Sequence, residues 1–314
     1  MLTFLAKRVL GTIPVMAVVA LFVFSLLNAA SGDPATILAG DNATAADVAR
    51  IRVQLGLDQP FLARFSIWAW NVLRGDLGIS IFSRAPVSQL IADRMQPTLL
   101  LALTTMLVAI PVAIPLGVLS AWRAGAWIDR AVMAFAVFGF SFPVFVVAYI
   151  LVYVFAISLG WLPVQGYAPP SAGLWPCLRS LILPSLSLSV VYIALIARMT
   201  RTAMLEVLRQ DYVRTARAKG LAEAPVLLGH ALKSASVPIV TTIGLGVALL
   251  ITGVVVTESV YALPGLGRLT TDAIARRDYP VIQAMILLFS FTYMLVNLLV
   301  DLAYALLDPR VGLS

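Results

Sequence analysis

Residues 98–122, TLLLALTTMLVAIPVAIPLGVLSAW, run 25 positions without a charged side chain. A helix needs about 20 mostly apolar residues to cross a hydrocarbon core about 30 Å thick. In lipid every backbone N–H and C=O must be satisfied within the protein, which a helix does by itself. Five more uncharged runs read the same way: 9–30 with 22 residues, 131–160 with 30, 180–197 with 18, 234–257 with 24 and 279–300 with 22. The expected fold class is an all-α polytopic membrane protein with six transmembrane helices. The 30-residue run fits a long or tilted helix. The first run follows Lys7-Arg8 and ends in Asn28-Ala29-Ala30, which loosely resembles a signal peptide. It exceeds the usual apolar core of about 7–15 residues, so it reads as a retained helix.

Composition agrees. Of 314 residues 61% are hydrophobic and 12% charged, against roughly 25% charged in soluble domains. The net charge of +7 comes from 22 Lys and Arg against 15 Asp and Glu. In a membrane protein such an excess reflects basic residues held on the cytoplasmic side, so no nucleic-acid partner is expected. One cysteine, Cys177, and one histidine, His230, rule out an intrachain disulfide, a Cys/His zinc cluster and an iron–sulfur centre held by several cysteines of this chain. Neither residue receives a role.

Orientation follows from Lys and Arg in the short loops. With the amino end inside, pieces 1–8, 123–130, 198–233 and 301–314 hold 2, 2, 7 and 1 basic residues; outer loops 161–179 and 258–278 hold 1 and 3. Segment 31–97 holds six Arg and six Asp, but segments beyond about 60 residues largely escape the rule. The balance predicts both termini in the cytoplasm. Each span carries a proline, internal or near an end: Pro14, Pro111, Pro115, Pro143, Pro184, Pro238 and Pro280. They fit kinked helices around a moving pathway, but taken one at a time ordinary membrane-helix usage is the stronger reading.

Two segments outside the spans are informative. In outer segment 31–97, Asp33-Pro34 reads as a turn, Thr44 as the cap of a helix over 45–55 stopped by Gly56, and 61–73 as an aromatic-rich helix suited to a membrane interface. Residues 83–95 read as a short helix led in by Pro86. The segment is either a docking cap or a packed outer layer. In inner segment 198–233, residues 201–219 hold neither Pro nor Gly and suit a helix. Gly220 ends it and Pro225 permits another. Helix, glycine turn, helix favours a protein-docking loop over one that only sets topology.

No enzyme is legible. None of Lys7, Lys219 and Lys233 follows a glycine, so there is no P-loop, and neither G-x-S-x-G nor H-E-x-x-H occurs.

Asp211-Tyr212-Val213-Arg214-Thr215-Ala216-Arg217-Ala218-Lys219-Gly220-Leu221 resembles the EAA loop of bacterial ABC importer permeases, specifically the dipeptide/oligopeptide/nickel branch. His230-Ala231-Leu232-Lys233-Ser234-Ala235-Ser236-Val237-Pro238 follows as in that branch, with Ser234 where Asn is common. Further matches run in order: Lys7-Arg8 with Ile13-Pro14, Gly32-Asp33-Pro34-Ala35, Leu55-Gly56-Leu57-Asp58-Gln59-Pro60, Gly75-Asp76-Leu77-Gly78, Pro86-Val87, Glu258-Ser259-Val260-Tyr261, Pro264-Gly265-Leu266-Gly267, Arg277-Asp278-Tyr279-Pro280 and Asp308-Pro309-Arg310. Arg214-Thr215-Ala216 stands where Glu-Ala-Ala gives the motif its name, a substitution usual in this branch.

The resemblance implies a type I ABC importer permease fold, N-in and C-in, in the bacterial inner membrane. Residues 1–97 would hold the first helix and periplasmic segment, 98–306 the transmembrane core with the EAA loop at about 201–233, and 307–314 a cytoplasmic tail. It implies a heterodimer with a second permease chain, two ABC ATP-binding subunits that carry the ATP and Mg, and a periplasmic or lipid-anchored binding protein. This chain itself would hold no cofactor or metal. The ATPase-coupling residues carried over are Tyr212, Arg214, Thr215, Ala216, Arg217, Lys219 and Gly220. Arg214 and Arg217 would meet ATPase carboxylates, and Gly220 would make a turn that a Cβ obstructs.

Glu258, with Pro264, Gly265 and Gly267, is the candidate outer gate. A carboxylate at the hydrocarbon boundary is a functional candidate by default; the plainer reading pairs it with Arg268. The substrate implied is a peptide, with nickel as the alternative in the same branch. An ion-coupled secondary transporter or a channel is the alternative of another class, although the spans offer no ionisable group for coupling.

Overall fold

The computed structural model describes residues 2–29, 36, 44–54 and 58–307. The turn at Asp33-Pro34, the Gly32–Ala35 and Asp308–Arg310 motifs, the stop at Gly56 and most of the tail lie outside them. Among the described residues regular structure is helical, apart from an isolated bridge between Ile79 and Pro86. The helices are α1 Leu2–Ala29, α2 Ala45–Gln54, α3 Phe61–Leu73, α4 Val87–Trp122, α5 Trp127–Ser141, α6 Val144–Ser158, α7 Leu174–Leu208, α8 Asp211–Ala218, α9 Pro225–Ser234, α10 Ser236–Gly253, α11 Val255–Val260, α12 Leu266–Arg276 and α13 Tyr279–Leu307.

α4, α7 and Tyr279–Tyr304 of α13 are each long and apolar enough to cross a membrane. The pairs α5–α6 and α9–α10 meet the same standard only together, and α1 carries the apolar stretch Leu10–Ser25. Three local readings change. Run 131–160 is not one long helix: α5 and α6 meet at 103°. Pro143 disfavours a helical Phe142, whose backbone is extended at φ −89° and ψ 126°. The separate helix over 83–95 and the span from 98 are one element, since α4 runs 36 residues through Pro97, Pro111 and Pro115. At about 1.5 Å per residue it is about 54 Å long, well beyond the hydrocarbon thickness. Residues 201–219 are not continuous helix, because Gln210 is extended, at φ −72° and ψ 147°, and divides α7 from α8.

The chain forms two compact units: residues 1–7, 95–268 and 292–314, and residues 8–94 and 269–291. In the first, α7 is the most enclosed of the long helices and packs against α5, α6 and α10. Small residues let the helices approach. A Cβ on Gly117 would sit 2.5 Å from Thr200 Cβ, and one on Gly139 3.0 Å from Ala194 Cβ. Thr241 and Tyr304 share a hydroxyl hydrogen bond that joins α10 to α13.

In the second unit Phe24 of α1 is ringed by Phe61, Phe65 and Trp68 of α3, with centroids 5.4, 5.6 and 5.3 Å away. Asp278 is buried and accepts hydrogen bonds from Ser80 Oγ at 2.5 Å and Ile81 N at 3.1 Å. This bond joins the segment after Gly78 to the residue preceding Tyr279-Pro280.

Candidate functional site

The inner loop is built from α7 onward. From Arg198, the first residue after the apolar run, α7 continues to Leu208, which carries the loop about 16 Å further along its axis. The extended Gln210 turns the chain, and Asp211 occupies the first turn of α8, where the helix dipole favours an acid. Thr215 Oγ1 bonds back to Asp211 O at 2.9 Å.

α8 has two faces. Val213 and Ala216 are buried against Val226, Val207 and Leu208. Tyr212, Arg214, Thr215, Arg217 and Lys219 are exposed. So the seven carried-over residues divide: Ala216, with Val213, anchors the helix, and the others present an outward surface.

Gly220 stands at φ +80°, a left-handed conformation that costs an L-residue about 1–2 kcal/mol. Its N–H bonds to Arg217 O at 2.9 Å, and Leu221 N to Ala216 O at 3.4 Å, closing the carbonyl end of α8 as a glycine terminus does. An added Cβ would meet nothing within 4 Å. Glycine is therefore required here by conformation rather than by space.

Arg217 donates from Nε and Nη2 to the two Glu223 oxygens, at 3.0 and 3.3 Å, so it has an intrachain partner. Arg214 lies 3.6 Å from the Asp211 carboxylate, with both side chains mostly exposed. Exposed pairs contribute about 0–1 kcal/mol and exchange readily.

Beneath the loop, Leu227 and Ala231 of α9 are buried with Val118, Ala121, Met204, Ala235 and Ile239. Beside that cluster, buried Asp129 accepts four hydrogen bonds: from Arg201 Nε at 2.6 Å, Arg201 Nη2 at 2.8 Å, Ser120 Oγ at 2.6 Å and Gly125 N at 2.8 Å. This junction ties α4, loop 123–126, α5 and α7 together. Sequence reading assigned it nothing; the available signal was one acid in the short basic loop 123–130. His230 lies exposed on α9, and Cys177 is buried near the start of α7.

At the other turn, Glu258 of α11 is fully buried. Its Oε1 accepts from Thr98 Oγ1 at 2.6 Å, and its Oε2 from the backbone N–H of Arg268 at 2.9 Å. Thr98 Oγ1 accepts from Leu266 N at 2.8 Å. Glu258 and Thr98 thus satisfy donors in the first turn of α12, which that helix cannot satisfy itself.

Gly265 is pressed onto this group, where a Cβ would overlap the Glu258 carboxylate. A Cβ on Gly267 would lie 2.7 Å from Val255 Cα. Pro264 is half-buried beside them. Tyr261 is buried, with its hydroxyl 2.7 Å from Ser187 Oγ and 3.3 Å from Ala148 O, to which it donates. The structure therefore brings the four outer-turn candidates together and adds Thr98 and Tyr261. Thr98 stands 160 residues from Glu258, a separation no local pattern reveals.

Among the described residues no three His, Cys, Asp or Glu side chains group as metal ligands. At the outer turn Glu258 and Thr98 bond within the chain, and at the inner turn Arg217 bonds to Glu223.

Comparison with known proteins places this architecture. The family described as binding-protein-dependent transport system inner membrane component matches residues 113–313, and the family of its N-terminal membrane part matches residues 1–102. A probable peptide ABC transporter permease of Sinorhizobium fredii (strain NBRC 101917 / NGR234) is 52% identical, covering 98% of each chain. A putative peptide transport system permease of Brucella abortus (strain 2308) is 46% identical, and a glutathione transport system permease of Salmonella choleraesuis (strain SC-B67) 45%, each covering 99% of both chains. Among solved structures, the inward-facing MetNI methionine ABC transporter matches with a TM-score of 0.51 at 18% identity, covering 71% of this chain and 94% of that one. That likeness bears on the fold. Through the family match and these end-to-end relatives, the chain belongs to the binding-protein-dependent transport system inner membrane components, as a multi-pass permease of a bacterial type I ABC importer.

Proposed function

We propose that this permease forms half of the translocation pathway of an ATP-driven importer of di- and oligopeptides. The observation that carries the reading is similarity over nearly the whole chain to permeases named for peptide and glutathione transport. A second, homologous permease chain completes the pathway. Two ATP-binding subunits dock below, with ATP and Mg held by them, and a binding protein delivers peptide from outside. Both termini lie in the cytoplasm, as twelve basic residues on the inner pieces against four in the short outer loops favour.

In this reading α8 and Gly220, residues 211–220, are the coupling element. Tyr212, Arg214, Thr215, Arg217 and Lys219 face the ATPase. Val213 and Ala216 hold α8 against α9 and the end of α7, so a push on α8 reaches α7 as a movement of packed side chains. Closure of the ATPases around ATP favours the outward-facing arrangement by binding it better than the inward-facing one. The turn of Glu258, Pro264, Gly265 and Gly267 is the outer gate, which the buried Glu258 carboxylate holds in its capped arrangement.

The test is reconstitution of the co-encoded complex with its binding protein in liposomes. Labelled dipeptides and oligopeptides should be taken up only with ATP inside, and unlabelled peptide should compete where Ni²⁺ does not. Uptake of Ni²⁺ with no peptide competition would replace the peptide reading.

A further inference from the structure

From the surface of the second unit we infer that α3, Phe61–Leu73, is a lipid-interface helix that sinks an apolar face into the outer leaflet. The helix has one charged side chain, Arg64, in 13 residues. Its packed side, Phe65, Trp68 and Val72, is half-buried. On another side Leu62, Ile67, Trp70 and Leu73 are exposed by 72, 53, 55 and 79%. At about 100° per residue these four share one broad face, while Arg64 and Asn71 form a narrow polar edge between the two apolar sides. Ser66 falls within the exposed face, but its hydroxyl bonds to Leu62 O at 2.8 Å, which satisfies it without water. A helix facing solvent would be polar over the side that is not packed.

Depth identifies what covers the face. Phe24, ringed by α3, lies six residues before the end of the apolar run 9–30, hence about 9 Å inside the end of that run. A helix packed on Phe24 therefore lies just inside the hydrocarbon boundary, in the outer leaflet. Its exposed face continues the apolar surface of α1, where Leu21 and Phe22 are exposed by 43 and 63%. Arg74, at the carboxyl end of α3, lays its guanidinium 4.7 Å from the Trp70 ring centroid, the pairing of an interfacial aromatic with a snorkelling cation. The occupant is lipid, with headgroups along the Arg64–Asn71 edge and acyl chains under Leu62, Ile67, Trp70 and Leu73.

The experiment uses the full importer complex in lipid nanodiscs. In a Cys177→Ser background, nitroxide labels are placed singly at Leu62, Ile67, Leu73 and Asn71. Collision with lipid-soluble oxygen should exceed collision with water-soluble nickel chelate at the first three, at depths of about 5–10 Å below the phosphates, with the reverse at Asn71. As a check free of labels, brominated lipid should quench wild-type tryptophan fluorescence more than that of Trp70→Phe. Chelate collisions dominating at all four positions would overturn the inference. So would exclusion of both reagents, alone or on adding the binding protein, which would mark the face as a protein-docking surface. Equal quenching of wild type and Trp70→Phe would overturn it as well.

Discussion

Arg201 holds Asp129 by two hydrogen bonds, Nε to Oδ1 at 2.6 Å and Nη2 to Oδ2 at 2.8 Å, across 72 residues of sequence. The guanidinium fork matches the carboxylate in a way a lysine cannot. Ser120 and Gly125 take up the remaining acceptor positions. The pair fixes α7, which leads into the proposed coupling loop, to the neighbouring helices.

Asp129→Ala should destabilise the complex by about 2–4 kcal/mol, below the full cost of an orphaned buried charge because Arg201 keeps some solvent contact. Adding Arg201→Met should recover part of that loss. Thermal unfolding of the two single variants and the double variant checks it; additive losses would mean that the two groups do not act as a pair.

Substitutions at Gly220 should follow backbone tolerance rather than side-chain size, because the space beside it is open and its φ is +80°. Gly220→Asn should keep most ATP-driven uptake, since asparagine accepts the left-handed region. Gly220→Val and Gly220→Trp should leave ATP hydrolysis running while uptake falls. Parallel assays of hydrolysis and transport decide, and normal uptake by Gly220→Trp would count heavily against the coupling role.

Arg217 and Glu223 form an exposed pair worth at most about 1 kcal/mol, so Arg217→Glu should barely change the melting temperature. Uptake should drop if Arg217 meets the ATPase. The charge swap Arg217→Glu with Glu223→Arg restores the intrachain pair, and uptake should stay low. Recovery in the swap would assign Arg217 to the loop's own structure.

Gly265→Ala should displace the Glu258 carboxylate, which lies where the new methyl would stand. Thr98 and the Arg268 N–H would then lose an acceptor at a cost of about 1–3 kcal/mol each. Glu258→Gln keeps the shape and should cost less. If the turn is a gate, Gly265→Ala also lowers peptide uptake beyond its effect on stability, as read by transport rate per folded complex.

The local elements were legible where hydropathy and turn chemistry decide them. Among the described residues each of the six apolar runs falls mainly on helix, and Gly220 ends α8 as its position after Lys219 predicts. The break at Gln210 was not legible, because nothing in residues 201–219 forbids helix. There the packing of Val213 and Ala216 on Val226 competes with simple extension of α7. The bend at Phe142-Pro143 was half legible: the proline marked a kink, but its 103° depends on what α5 and α6 pack against.

Membrane residence follows from sequence alone, because the transfer of an apolar run into lipid is a sum over neighbouring residues and needs no partner from elsewhere in the chain. Which polar groups meet is another matter. Asp129 with Arg201, Thr98 with Glu258, and Ser80 with Asp278 are 72, 160 and 198 residues apart. A hydrogen bond or ion pair acts over a few ångströms, so only the tertiary structure, by bringing distant helices to that range, decides which carboxylates hold the fold and which faces remain for a partner.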